Sequence, residues 1–452
     1  MSKSVDFFVI GGGSGGVRAA RIAAQHGASV AVAEESRYGG TCVIRGCIPK
    51  KFFVYASEFS HAMEDAKRYG WDIRGSFDWQ TLLTNKDERI DRLNGIYINM
   101  LKKAGVEILD GRATLRSANE VVVNGEVYQA KHILIATGGR PVRPDIPGAE
   151  LGITSNEAFH LESLPKRITI VGAGYIGLEF SSIFQGLGVE VSLVHHRKEA
   201  LRGFDDDIRH QVTENIRKNG VKLIFETEIA EITKNSDGSF DFTCRNGGKH
   251  NTDLIMWATG RRPNTENLGL AEAGVTLGKR GEVCIDSFGK TDVDSIYAVG
   301  DCTDRLQLTP IAIREGQAVA DNLFGKSGNK VCFDHPIVPT AIFTQPEAAT
   351  VGLTEAQAKE SHANLHVYLS TFKPLFHSMS GRDEEVMMKL LVDATNDKVL
   401  GFHMVGKGAA DVVQTVAIAI GMGATKADFL RTIPLHPCTA EELVFMRTPI
   451  ER

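Results

Sequence analysis

The sequence predicts an α/β protein assembled from two copies of one strand–turn–helix–strand plan. The stretch VDFFVIGGGSGGVRAARIAAQHGASVAVAEE is echoed by RITIVGAGYIGLEFSSIFQGLGVEVSLVHHR, and Gly11, Gly13 and Gly16 of the first match Gly172, Gly174 and Gly177 of the second in spacing. A second echo closes each copy, ILIATGGRP (133–141) and IMWATGRRP (255–263). The length, 452 residues, exceeds what one core holds, so roughly two to four domains are expected.

Each copy opens on an apolar strand that runs into its glycines, and an alanine-rich or apolar helix follows. In that context G-x-G-x-x-G rises above chance. The glycines let the backbone approach a pyrophosphate, and the helix N-terminus offers free N–H groups and the positive end of its dipole. Two dinucleotide sites are therefore expected. The second strand of the first copy ends in Glu34, an acid suited to the ribose hydroxyls of a flavin adenine dinucleotide (FAD) or NAD. The second copy continues into VHHRKEALR, with no acid at the matching place but with His196, Arg197 and Arg202. Cations there suit a 2′-phosphate, which favours NADPH over NADH; Glu199 and the third glycine, Gly177, pull slightly the other way.

From Gly11 to Ala136 is 125 positions and from Gly172 to Ala258 is 86, so the first copy is longer by about 39. The excess holds GGTCVIRGCIPKKFF and a helical stretch from Lys50 to Ala104. Cys42 and Cys47 stand five apart. In a regular helix that offset is about 7.5 Å along the axis, beyond what a disulfide tolerates, so a bridged pair requires a break that Gly46 can supply. Pro49 fits the first turn of a following helix, whose N-terminus favours a Cys47 thiolate. A hydride from nicotinamide carries two electrons, a dithiol stores two, and a flavin can pass them between.

The bulk composition excludes other classes. A net charge of -5 gives no case for nucleic acid. No run of eighteen apolar residues predicts a membrane span. The opening MSKSVDFFVIGGG goes directly into a strand without a signal-peptide layout, so a cytoplasmic protein is expected. Seven cysteines are no disulfide framework here; Cys244, Cys284, Cys302 and Cys332 are scattered and read as small core or surface residues.

GGTCVIRGCIPKK resembles the redox segment of the flavoprotein disulfide reductases, and its doubled lysine resembles the branch that reduces glutathione disulfide. GAGYIGLEF, YAVGDCTDRLQLTPIAI and HPCTAEELV extend the resemblance essentially end to end. It implies two Rossmann-like dinucleotide-binding domains and a C-terminal α+β dimerisation domain: FAD-binding 1–143, NADPH-binding 144–263, a central segment 264–333 that completes the FAD domain, and an interface domain 334–452. It implies that Cys42 is the interchange thiol, that Cys47 faces the flavin as a charge-transfer thiolate, that Lys50 and Glu179 pair beside the flavin, and that Tyr175 covers the nicotinamide pocket. Asp301, Thr309, Thr41 and Glu34 match flavin contacts. Ser14, Gly15, Gly40, Ala113, Thr137, Gly138, Ile176, Gly260 and Arg261 are further nucleotide contacts on the same grounds. His436 and Glu441 match a proton-handling pair, with His436 reaching the other subunit's active site, which implies a homodimer with shared sites. Cys438 departs from the threonine common beside that histidine.

The resemblance places Ser14, Arg21 and Tyr97 at the disulfide-substrate site. Gln317 stands where animal-type members carry arginine, and Arg18, three residues before Arg21 on one helix face, is expected to supply the missing charge. Reductases of trypanothione-like or modified-glutathione disulfides and dihydrolipoamide dehydrogenase are the neighbouring readings; a flavin-binding scaffold without turnover is the reading from another class. High-molecular-weight thioredoxin reductase and mercuric reductase are disfavoured by a C-terminal MRTPIER without cysteines.

Overall fold

The computed structural model describes residues 3–451. A first sheet is centred on the strand Lys3–Ile10, flanked in parallel by Val30–Glu34 and then Glu107–Asp110 on one side, and by Glu126–Ile135 on the other. An antiparallel hairpin, Ala113–Ser117 and Glu120–Val123, extends the sheet along the first half of Glu126–Ile135. Ile296–Ala298 pairs in parallel with the second half. The helices Ser14–Gln25 and Thr309–Phe324 cover one face, and the hairpin with residues 268–283 covers the other, so Lys3–Ile10 is apolar on both: Phe7, Phe8 and Val9 are wholly buried.

The second copy repeats this order. Arg167–Val171 is flanked in parallel by Glu190–His195 and Lys222–Phe225 on one side, and by Leu254–Trp257 and Ile153–Thr154 on the other. A three-stranded antiparallel ribbon, Ile229–Lys234, Phe240–Cys244 and Lys249–Thr252, lies beside it. The echo holds at atomic detail. Gly11 has φ +112° and a Cβ there would lie 2.4 Å from the Ala136 carbonyl oxygen; Gly172 has φ +107° and would meet the Ala258 carbonyl at 2.4 Å. Only glycine fits such a turn. Two antiparallel crossings, Gly139–Pro141 against Arg261–Pro263, join the units.

The insertion in the first copy forms the helices Cys47–Ala66 and Trp79–Lys103. The last unit is an antiparallel sheet ordered Thr340–Ile342, Ala348–Gly352, Val399–Val405, Val386–Asp393, Leu365–Phe372, backed by the helix Ala409–Gly421. A buried charge cluster fastens the last unit to the second: Lys389 Nζ lies 2.7 Å from Asp205, 2.6 Å from Asp207 and 2.7 Å from Glu355. No helix among the described residues is long and apolar enough to cross a membrane.

Candidate active site

The short helix Gly40–Arg45 carries Cys42, and Cys47 begins the next helix. Gly46 makes the break, with φ −154° and ψ −123°. A Cβ on it would lie 2.6 Å from the Thr41 carbonyl oxygen, so the tight join excludes a side chain. The join brings the thiols together, both free, with Cys42 donating a hydrogen bond to Cys47. The proton therefore rests on Cys42, whose pKa is pushed up by that bond and by burial. Cys47 is held below the ordinary thiol range, first by the Cys42 donor and then, against its burial, by Thr309 and the charge of Lys50. Thr309 Oγ1 stands 3.8 Å from the Cys47 sulfur.

Lys50 lies one turn along the same helix and donates to Glu179 at 2.7 Å. Both are buried, at 8% and 4% exposure. The last unit contributes Phe343, whose N–H donates to the same Glu179 oxygen at 3.0 Å and whose ring lies 3.9 Å from the Lys50 nitrogen. Nothing in the local sequence pattern marks Phe343, because its role depends on packing between units.

These groups line one cavity of about 680 Å³. Gly11, Gly13, Ser14 and Gly15 of the first turn line it, as do Glu34, Gly40 and Thr41. Ala113, Thr137, Gly138, Asp301 and Thr309 complete the wall, with Tyr175, Ile176, Glu179 and Arg261 at the end toward the second unit. Gly16 lies behind the turn, where a Cβ would meet the Gly11 carbonyl at 2.0 Å. Glu34 accepts hydrogen bonds from Gly12 N–H at 2.7 Å and Ser36 N–H at 2.9 Å; burial raises its pKa against those bonds. Burial likewise raises Asp301, opposed by Arg261. The buried Thr137 hydroxyl has no hydrogen-bond partner among the described residues. A glycine cradle, an acid aimed at a ribose and an unpartnered hydroxyl in one long cavity fit FAD.

A second cavity of about 390 Å³ adjoins the first. Gly174 and Gly260 line it, and Tyr175, Ile176 and Arg261 line both, so Tyr175 stands between them. Its phenol is pushed up to about 12 by burial. Beyond the strand Glu190–His195, His196, Arg197 and Arg202 are exposed together on one loop, with Arg197 donating to His196 at 3.1 Å. Glu199 turns away from that cluster, 3.5 Å from Arg209. Leu201, buried at φ +54°, is a left-handed residue immediately before Arg202.

On the far side of the thiols, Tyr97 has its pKa raised by burial and by Cys42, and lowered by Arg21, which places the phenol near both. Arg18 Nε donates to Gln317 Oε1 at 3.1 Å across 299 residues of sequence. His436 Nδ1 is 3.0 Å from Glu441 Oε2, yet neither lines the cavity of the same chain and the His436 side chain is 78% exposed.

Sequence comparison gives the class: the chain belongs to the pyridine nucleotide-disulphide oxidoreductase family, matched over residues 5–316, and residues 338–447 match the dimerisation domain of that family. Within the class it is similar to glutathione reductases. It is 47% identical to that of Burkholderia cepacia over 98% of both chains, and 45% identical to that of Nostoc sp. over 99% of this chain and all of the relative. It is 46% identical to the chloroplastic/mitochondrial glutathione reductase of Pisum sativum over 99% of this chain and 83% of the relative.

Proposed function

We propose that the chain reduces glutathione disulfide to two glutathione molecules with electrons from NADPH, using FAD and the Cys42–Cys47 pair. One observation carries this reading: two thiols of opposite acidity shift lie side by side in the dinucleotide cavity, beside a buried Lys50–Glu179 pair. FAD, held by the glycine turn, Glu34, Asp301 and Thr309, would supply two-electron transfer between the nicotinamide side and the thiol pair. Cys42 attacks one substrate sulfur, forms a mixed disulfide and releases one glutathione. Cys47 then attacks the Cys42 sulfur, releases the second glutathione and leaves the pair oxidised. Across the cycle NADPH and one proton become NADP⁺, and the substrate S–S bond becomes two S–H bonds. Lys50 and the N-terminus of the helix Cys47–Ala66 favour the Cys47 thiolate, while Glu179 opposes it by charge and holds Lys50 in place. Tyr175 covers the nicotinamide pocket, and His196, Arg197 and Arg202 hold the 2′-phosphate.

The raised pKa of Cys42 means that a base must take its proton. His436, oriented by Glu441, fills that role from the partner subunit of a homodimer. The exposure of Ile418, Met422, Ile433 and Leu435 on the last unit supports such an interface. Replacing His436 by glutamine is expected to lower turnover of glutathione disulfide by about 10²–10⁴-fold while flavin reduction by NADPH proceeds normally. Mixed dimers of C42S and H436Q chains regain activity if sites are shared and stay inactive if they are not.

Ser14, Arg21, Tyr97 and Arg18 form the disulfide subsite in this reading. Gln317 steers the Arg18 guanidinium through Nε and leaves its two terminal nitrogens for a substrate carboxylate. Arg18→Ala should raise KM for glutathione disulfide by about tenfold with kcat kept; an unchanged KM removes Arg18 from the site. The exchange of arginine for Gln317 also supports a second reading, a modified or trypanothione-like disulfide, and steady-state rates against a small panel of disulfides decide between them. Reduction of the purified flavoprotein by NADPH tests turnover against a scaffold: the enzyme gains long-wavelength absorbance and a scaffold gains none. The domain limits proposed are 1–143, 144–263, 264–333 and 334–452. A reducing compartment such as the cytoplasm suits the five further unpaired cysteines.

A further inference from the structure

The hydrogen bonds of the two glycine turns identify the residue that replaces Glu34 in the second unit. Gly11 N–H donates to the Ala33 carbonyl, and Gly172 N–H donates to the Val194 carbonyl. One residue on in each unit, Gly12 N–H donates to the Glu34 carboxylate at 2.7 Å, and Ala173 N–H donates to His195 Nδ1 at 3.4 Å. His195 therefore occupies the ribose-acid position, one residue before the basic loop.

Its surroundings fit a neutral donor. His195 is 7% exposed and packs edge-on against His196, 4.6 Å between centroids, and against Phe225 at 5.5 Å. Its pKa is lowered to about 4, first by burial and then by His196 and the neighbouring arginines; only the Glu199 carbonyl pulls the other way. With Nδ1 accepting from Ala173, the proton sits on Nε2, a buried donor with no well-formed hydrogen bond among the described residues beyond the pull of the Glu199 carbonyl. A carboxylate at this place would repel a phosphate and accept from a free 2′-hydroxyl. A protonated Nε2 does the reverse.

We propose that His195 is a selectivity-determining residue of the second nucleotide site, a buried neutral donor to the 2′-phosphate of NADPH standing where the first unit keeps a ribose-binding acid. The inference rests on the proposal that this unit binds NADPH, and goes beyond it by adding a buried contact to the exposed cations.

The test uses the FAD-loaded enzyme and calorimetric binding of adenosine 2′,5′-bisphosphate and of AMP, together with KM for NADPH and NADH. His195→Glu should weaken bisphosphate binding at least about tenfold and improve KM for NADH, with AMP unaffected. His195→Leu, which keeps the volume and places no charge in the turn, should weaken the bisphosphate about threefold or more with KM for NADH unchanged. If the glutamate variant does not fold, the leucine variant decides. Bisphosphate affinity unchanged within about twofold in the leucine variant overturns the proposal. Arg197→Ala and Arg202→Ala separate the two levels: binding lost with the arginines but not with His195 removes this inference alone. Binding indifferent to all three removes the NADPH site from this loop and the inference with it.

Discussion

Cys42→Ser is expected to lower disulfide turnover by at least about 10³-fold while leaving reduction of the flavin by NADPH at its normal rate. The expectation follows from the division of labour between the two sulfurs. Cys42 holds the proton and Cys47 the negative charge. Cys47 lies against Thr309 and the Lys50 charge in the dinucleotide cavity; without Cys42 it forms no disulfide, so electrons from NADPH would stop at the flavin and go no further. A serine at 42 still donates a hydrogen bond, so the Cys47 thiolate and its long-wavelength absorbance against oxidised flavin persist in the variant before NADPH is added. Cys42→Ala removes the donor that contributes most to the depressed pKa of Cys47. The thiolate, present above its folded pKa, is then lost at a higher pH than in the parent as pH falls. A pH titration of that absorbance reads the shift. Loss of both turnover and flavin reduction in Cys42→Ser would mean that the roles of the two sulfurs are reversed.

The second large effect concerns stability. Glu179→Leu leaves Lys50 buried against Phe343 with its carboxylate gone, and also strips the acceptor from Phe343 N–H. Breaking a buried pair from one side costs about 3–5 kcal/mol. The thermal midpoint of the flavin-loaded protein should fall accordingly, and Cys47, relieved of the carboxylate charge while Lys50 stays beside it, should bind its proton less tightly. The double variant Lys50→Met with Glu179→Gln keeps an acceptor for Phe343 and buries no charge. It should lose less stability than the sum of its single changes. Additive losses would show that the two side chains do not act as a pair.

The local patterns predicted much of this architecture. The glycine spacing, the strands that run into it and the helix after Gly46 are legible because each depends on residues within one turn or one strand of its neighbours. The cysteine pair is legible for the same reason. Phe343, and the contact of Arg18 with Gln317, are not: they join residues far apart in sequence, and no periodicity encodes which distant side chain fills a gap. His195 was hidden differently. The absence of an acid was readable, but two adjacent histidines left open which one held the position, and only the bond from Ala173 N–H resolves it. The last-unit pair, His436 and Glu441, is legible only as a motif, since its place in the chemistry depends on a second copy of the chain.

The pairing of Ile296–Ala298 with Ile133–Ile135 has a consequence for biosynthesis. The strand that finishes the first sheet, and the Asp301 and Thr309 that follow it, leave the ribosome after the whole second unit has been made. A nascent chain shorter than about 310 residues has the glycine cradle and both sulfurs but only one wall of the cavity. Capture of the flavin therefore waits until two-thirds of the polypeptide has been translated, and the thiols spend that interval beside an open cleft.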